Sequence, residues 1–323
     1  MATCLSHRDL AILFQLQEKV SLTVSQIHKL CFQGLGRDSA YKGIAKLKRR
    51  DFIKSCPYDF GRFGKLEDMI FLTKPGFGRL ESARLIEGEY RYKAPPSLIV
   101  DYAHRVGIID YWIALEQDAI SHPDFELAVF YPEFKKLPCG KGITLKADLP
   151  NGETLQIRND ALFILRNRHT GLEHLFLLEI DQGTMPIITG SKIKIANSQN
   201  MKIRSNLTTK IEKIQNIFDH WELAIQNLGA RFSHFQGAKV VVITDTAKRT
   251  LNMLQKLSIR ACYASKGVFL FSHMTETQKG ALTCRYAVPH STGAYQTQKL
   301  IDEQYHVIHL HCLWQIELAL QLP

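Results

Sequence analysis

The sequence predicts an α/β chain in two parts, an N-terminal winged helix-turn-helix and then a mixed-sheet domain. Three observations carry that expectation. Residues 5–85 run helix, helix, basic helix, hairpin. Residues 106–275 alternate helix-like and strand-like stretches and include AKVVVIT at 238–244, a continuous apolar run of the kind a strand covered on both faces shows. Third, FLLEIDQGTM at 176–185 places two carboxylates, Glu179 and Asp181, at the end of an apolar strand.

In the first part, HRDLAILFQLQEK has Leu10, Leu13, Phe14 and Leu16 at helical spacing, with Ser6 as N-cap and Asp9 in the first turn. TVSQIHKLCF gives a short helix from about Ser25 to Phe32, with Ile27, Leu30 and Cys31 inward. After Gly34 and Gly36, RDSAYKGIAKLKRRDFI forms a third helix with Ala40, Ile44 and Leu47 on its apolar face. Its other face carries Arg37, Lys42, Lys46, Lys48, Arg49 and Arg50. A glycine-bracketed basic turn with Arg62 and Lys65 then precedes an apolar strand, Met69 to Leu72. A basic helix face suits the major groove, and a basic hairpin tip suits a neighbouring phosphate. These residues are the expected contacts to double-stranded DNA. A basic run at 46–50 that is simply a solvated helix face, or a winged helix used for protein contacts, is the alternative.

The expected boundaries are residues 1–90 for the winged helix, 91–105 for a linker with a Pro-Pro pair, 106–275 for the α/β domain and 276–323 for a C-terminal extension. Within the α/β domain, helices are expected at 106–121, 207–228 and over TAKRTLNMLQKL. Strands are expected at 125–131, 154–165, 173–181 and 238–244, and over GVFLFS.

Side chains alternate along a strand, so Glu179 and Asp181 share a face, and Phe176, Leu178 and Ile180 take the other. With a turn near 166–171, Asp160 on the preceding strand falls beside Glu179 or Asp181. Three carboxylates on one patch raise each other's pKa, and a divalent cation removes that cost. Turn formation at 181–184 or pairing with Lys192 or Lys194 would also account for the acids.

Asp160, followed one strand later by Glu179-Ile180-Asp181, resembles the PD-(D/E)xK nuclease core, which has an acid on one strand and acid-x-Lys on the next. LEIDQGT, with RDLAILFQLQ near the start, YPEFKK at 131–136, NDALFIL at 159–165 and KVVVITDTAKRTLNML at 239–254, resembles the replication-relaxation family over about residues 5–272. The resemblance implies a restriction-endonuclease-like second domain and a plasmid or mobile-element setting. It also implies Asp160 and Glu179 as ligands to Mg²⁺ or Mn²⁺, with Glu133 as a further acid at the edge. The chain departs from the nuclease core at 181, where Asp replaces Lys. Lys192, Lys194 and Lys210 are the candidate substitutes, Lys210 first because it opens a helix directly after the motif. The expected catalytic set is therefore Asp160, Glu179, Asp181 and Lys210.

The chain carries 41 Lys and Arg against 31 Asp and Glu, a net charge of +10 that favours a polyanionic partner. Residues 1–93 hold 17 basic and 10 acidic side chains, so most of the excess lies there. A second basic stretch, 189–213, includes Lys192 and Lys194 and suits a phosphate backbone. The 7 cysteines are widely spaced with no CxxC pair, which argues against a disulfide framework and for a cytoplasmic setting. Neither a secretory signal nor a membrane span is expected. His306, His309, His311 and Cys312 cluster, but a packed segment explains them better than a metal. No GxGxxG after a strand, P-loop or GxSxG occurs. The expected function is a DNA-binding protein with a nuclease-type domain. A non-catalytic regulator of replication, transfer or transcription, and a protein adaptor, are the alternatives. A replication or transfer protein is a further expected partner, and a homodimer is compatible with the sequence.

Overall fold

The computed structural model describes residues 5–56, 66–86, 92, 101–135, 137, 142–182, 207–289, 295–300 and 306–308. The chain divides into two compact units, residues 1–113 and 114–323.

The first unit opens with α1 (His7–Lys19), β1 (Ser21–Leu22), α2 (Val24–Cys31) and α3 (Arg37–Arg49). It continues with β2 (Ile53–Cys56), β3 (Met69–Leu72), α4 (Lys74–Ser82) and the start of α5 (Tyr102–Ser121). Capping boxes fix two helix starts. Ser6 and Asp9 exchange side-chain and backbone bonds at α1, and Thr23 and Gln26 do the same at α2. The turn into α3 passes Gly34 at φ +75°, where a side chain would be strained. The three strands form an antiparallel sheet in the order β1-β3-β2. Ala40, Ile44 and Leu47 of α3 are buried as expected. The inward stripe of α1 is corrected to Ile12, Leu13 and Leu16, and that of α2 to Val24 and Ile27; Leu10, Phe14, Leu30 and Cys31 are only half-buried.

The second unit contains β4 (Phe125–Pro132), β5 (Thr144–Asp148), β6 (Thr154–Arg158), β7 (Ala161–Asn167) and β8 (Glu173–Asp181). After α6 (Leu207–Asp219) and α7 (Trp221–Gln226) come β9 (Lys239–Thr244), α8 (Ala247–Lys256), α9 (Ala261–Ala264) and β10 (Phe269–His273). Next are α10 (Met274–Thr277), β11 (Tyr286–Pro289), β12 (Tyr295–Gln298) and β13 (His306–Ile308). Eight strands form a mixed sheet in the order β13-β12-β11-β10-β9-β8-β7-β4. β8, β9 and β10 are mutually parallel, and the remaining pairs are antiparallel. The two parallel connections account for the unbroken apolar run of β9, which has neighbours on both sides and is buried from Val240 to Thr244.

Two sequence expectations are corrected here. The single strand at 154–165 is two strands, because β6 leaves the main sheet to pair with β5 and the chain breaks at Asn159 and Asp160. The single helix at 207–228 is interrupted at His220, where Trp221 turns inward and its indole N–H donates to Phe235 O at 2.6 Å. The extension after 275 supplies three more strands of the main sheet.

One face of that sheet presents Leu162, Ile164, Leu175, Leu177, Val240, Val242, Phe269 and Phe271. Over it lie Leu207, Ile211, Ile214 and Ile217 of α6, Trp221 and Ile225 of α7, and Met253 and Leu254 of α8. The β5–β6 hairpin adds Leu145, Ala147 and Ile157. Each such side chain, fully buried, contributes about 1.5–3 kcal/mol, so this layer holds α6 and α8 against the sheet, α8 packing on β9 and β10.

Candidate functional site

Strand register builds the site. Ala161 faces Leu178, which sets Asp160, one residue before β7, beside Glu179. Alternation puts Asp160 with Leu162 and Ile164, and puts Glu179 and Asp181 with Leu175 and Leu177, on the face that meets α6. Asp160, Glu179 and Asp181 are only 6%, 4% and 4% exposed, so each carboxylate needs a compensating group.

Asp160 is fixed by backbone. Its Oδ2 accepts the Ile180 N–H at 2.6 Å, its own N–H donates to Leu178 O at 3.1 Å, and its carbonyl accepts the Glu133 N–H at 2.8 Å. Lys210 completes the pair. Leu207, Ile211 and Ile214 form the buried stripe of α6, and Lys210 lies on the same side in the first turn. Its ammonium forms an ion pair with Glu179 Oε2 and lies 3.6 Å from Asp160 Oδ1. Burial works against the Lys210 charge, but Glu179 and Asp160 outweigh it and hold the ammonium above the usual lysine range. Burial first, and the Asp160 charge second, push the Glu179 carboxyl well above the usual carboxylate range, with Lys210 pulling it down.

Asp181 has a different partner. The Arg249 guanidinium grips it with Nε to Oδ2 at 2.7 Å and Nη2 to Oδ1 at 3.3 Å, a two-point fork. Because β8 and β9 are parallel with Asp181 opposite Thr244, the start of α8 emerges beside Asp181. Thr246 caps that helix by accepting the Arg249 N–H at 3.2 Å. Sequence reasoning passed over Arg249. Its visible signal was a Thr N-cap three residues ahead, which acquires meaning only once β8 and β9 are known to be neighbours.

Glu179 Oε1 is buried and has no hydrogen-bond partner among the described residues. Two hard carboxylates and one orphaned oxygen suit Mg²⁺ or Mn²⁺, which take oxygen ligands and keep places for water and phosphate. Asp160 and Glu179 are the residues that could hold such an ion. Among the described residues no three His, Cys, Asp or Glu side chains form a metal-ligand cluster. At the rim, Glu133 Oε2 pairs with Arg158 Nε at 3.1 Å.

The basic face of α3 separates into two sets. Lys42, Lys48 and Arg49 are exposed. Arg37 is tied to Ser25 Oγ at 3.0 Å and to Glu67, Lys46 reaches Asp9 Oδ2 at 2.6 Å, and Arg50 stacks on Phe52 with 4.9 Å to the ring centroid. Arg62, Lys65, Lys192 and Lys194 lie outside the described residues. So do His309, His311 and Cys312, while His306 is described by its backbone alone. Among the described residues Cys31, Cys56, Cys262 and Cys284 are free thiols, and no helix is long and apolar enough to cross a membrane.

These features define a mixed α/β protein with a small helical unit, a large mixed sheet and a buried acid–lysine cluster at the ends of two neighbouring strands. The profile of the replication-relaxation family matches residues 13–197, more than half of the chain, and the chain belongs to that family. No curated protein matches it. Among solved structures, Bordetella bronchiseptica BpsR, from a study of how 6-hydroxynicotinic acid regulates its DNA binding, is 15% identical. The match covers 26% of this chain and 56% of that one with a TM-score of 0.22, too slight a likeness to carry an argument.

Proposed function

We propose that this replication-relaxation protein binds double-stranded DNA of a plasmid or mobile element through its first unit, read as a winged helix, and cuts DNA phosphodiesters at Asp160, Glu179 and Lys210 in its second. One observation carries the reading. A lysine from α6 stands against both carboxylates, supplying from a helix the cation that the nuclease core otherwise supplies from the strand. Asp160 and Glu179 are the residues that would hold Mg²⁺ or Mn²⁺, and the bound ion would supply Lewis-acid stabilisation and a more acidic water. The chain's own residues do the rest. The backbone grip on Asp160 fixes the direction of its second oxygen. Lys210 remains protonated and can donate to a phosphate oxygen or to the attacking water. Arg249 neutralises Asp181, which would otherwise add a third negative charge to the strand face.

On the first unit, Lys42, Lys48 and Arg49 are exposed cations of α3 and serve as phosphate contacts. The test is incubation of supercoiled, linear and single-stranded DNA with Mg²⁺ or Mn²⁺. Cleavage abolished by Glu179→Ala and by Lys210→Met supports the reading, and no cleavage of any substrate by clean wild-type protein overturns it.

A second reading, a DNA-binding regulator that cuts nothing, is favoured by Asp181. The position that holds the lysine in the nuclease core is here an acid locked to Arg249. Salt-dependent DNA binding without cleavage would select it.

A further inference from the structure

Arg158 closes β6 two residues before Asp160, and its side chain is 62% exposed. Its one partner among the described residues is Glu133, through Nε to Oε2 at 3.1 Å and Nη2 to the carbonyl at 3.4 Å. Glu133 is in turn part of the site. Its N–H donates to Asp160 O at 2.8 Å, and its charge helps hold the Lys210 proton. The guanidinium is therefore exposed to solvent and tied to the Asp160–Glu179–Lys210 cluster through Glu133, held by a single carboxylate. An exposed pair of this kind contributes little to stability, so exchanging the carboxylate for another anion is cheap. A phosphodiester offers the guanidinium two oxygens in the geometry it prefers.

We propose that Arg158 is a DNA-backbone contact of the second unit, held by Glu133 until a phosphate takes the carboxylate's place. The proposal rests on the reading of this unit as a DNA-processing site. It assigns the two members of the pair opposite effects. Removing Arg158 deletes a phosphate contact. Removing the Glu133 charge releases Arg158 and deletes a repulsion.

The experiment measures fluorescence anisotropy of a labelled duplex with the full chain carrying Lys48→Ala and Arg49→Ala, so that the first unit contributes less. Arg158→Gln is expected to weaken binding about three- to tenfold at moderate salt and to lower the slope of log affinity against log salt by about 1. Arg158→Lys should keep the slope, and Glu133→Gln should tighten binding. A merely structural ion pair would give equal, same-direction effects for Arg158→Gln and Glu133→Gln. That result, or an unchanged slope, or absence of binding by the parent variant, overturns the proposal. If wild-type protein cuts nothing while the slope still falls, the nuclease reading fails and the Arg158 contact stands. If cleavage is normal and Arg158→Gln changes neither slope nor KM, the contact alone fails.

Discussion

Lys210→Met leaves two buried carboxylates facing each other with their shared cation gone. Removing one partner of a buried ion pair costs about 3–5 kcal/mol. Lys210 is 20% exposed and Glu179 5% by side chain, so the lower end, about 3 kcal/mol, is expected at neutral pH. Proton uptake by Glu179 limits the loss at about 1.4 kcal/mol per pH unit. The sign follows from the raised Glu179 pKa. Stability from such a group is present below its unfolded-state value and lost as pH rises through its folded-state value. Without Lys210 the folded-state value rises further, so the deficit of Lys210→Met should shrink as pH falls from 8 towards 5. Adding Glu179→Gln removes the stranded charge, and the double variant should recover about 2 kcal/mol relative to the sum of the singles. Urea unfolding followed by tryptophan fluorescence at pH 5, 7 and 8 measures all three variants. Additivity within about 0.5 kcal/mol, or a deficit that does not change with pH, would refute the coupling on which the site depends.

The other outcomes follow from the same kind of reasoning. Arg249→Gln strands Asp181 and should destabilise the second unit by about 1–3 kcal/mol, with partial recovery on adding Asp181→Asn; thermal melts of the two singles and the double check this. Lys48→Ala and Arg49→Ala should each lower DNA affinity and the salt slope, whereas Lys46→Ala, whose charge is spent on Asp9, should leave the slope nearly unchanged and cost under about 1 kcal/mol of stability, measured by anisotropy and urea titration. Burial pushes the Cys31 thiol up to about 11 and the Cys284 thiol up to about 12, while Cys262 is exposed. Iodoacetamide at pH 8 should therefore label Cys262 well ahead of the other two by peptide mass mapping, and equal rates would contradict the packing.

Local chemistry made much of the fold legible. Ser6 with Asp9 announced the start of α1, alternation assigned the two faces of β8, and the apolar run of β9 announced a strand covered on both faces. The unread parts had weak or distant signals. Between Thr154 and Leu165 the one compositional cue is Asn159-Asp160, two residues that disfavour strands, and the break there comes with β6 pairing with β5 outside the main sheet. The interruption at His220 has neither Gly nor Pro and follows from Trp221 reaching Phe235. The ion pair between Asp181 and Arg249 spans 68 positions and exists only through the parallel pairing of β8 and β9.

On the nuclease reading proposed above, the same distinction explains how a lysine can leave the strand without leaving the site. A side chain at position 181 is two residues beyond Glu179 on the same face, so a lysine there would approach Glu179 along the strand. Lys210 instead approaches from α6, above the sheet, where the buried stripe of Leu207, Ile211 and Ile214 sets its height over Asp160 and Glu179. The vacated strand position then holds an acid, and that acid is tolerable only because the fork of Arg249 neutralises it. Two cations thus serve three buried carboxylates, one from each helix that flanks the parallel pair. Moving the lysine back with Asp181→Lys in a Lys210→Met background would place it beside Arg249, a like charge, so the exchange should fail to restore stability unless Arg249 is also replaced. Recovery by Asp181→Lys alone, in urea unfolding, would show that the strand and helix positions are interchangeable and that Arg249 has no part in the charge balance.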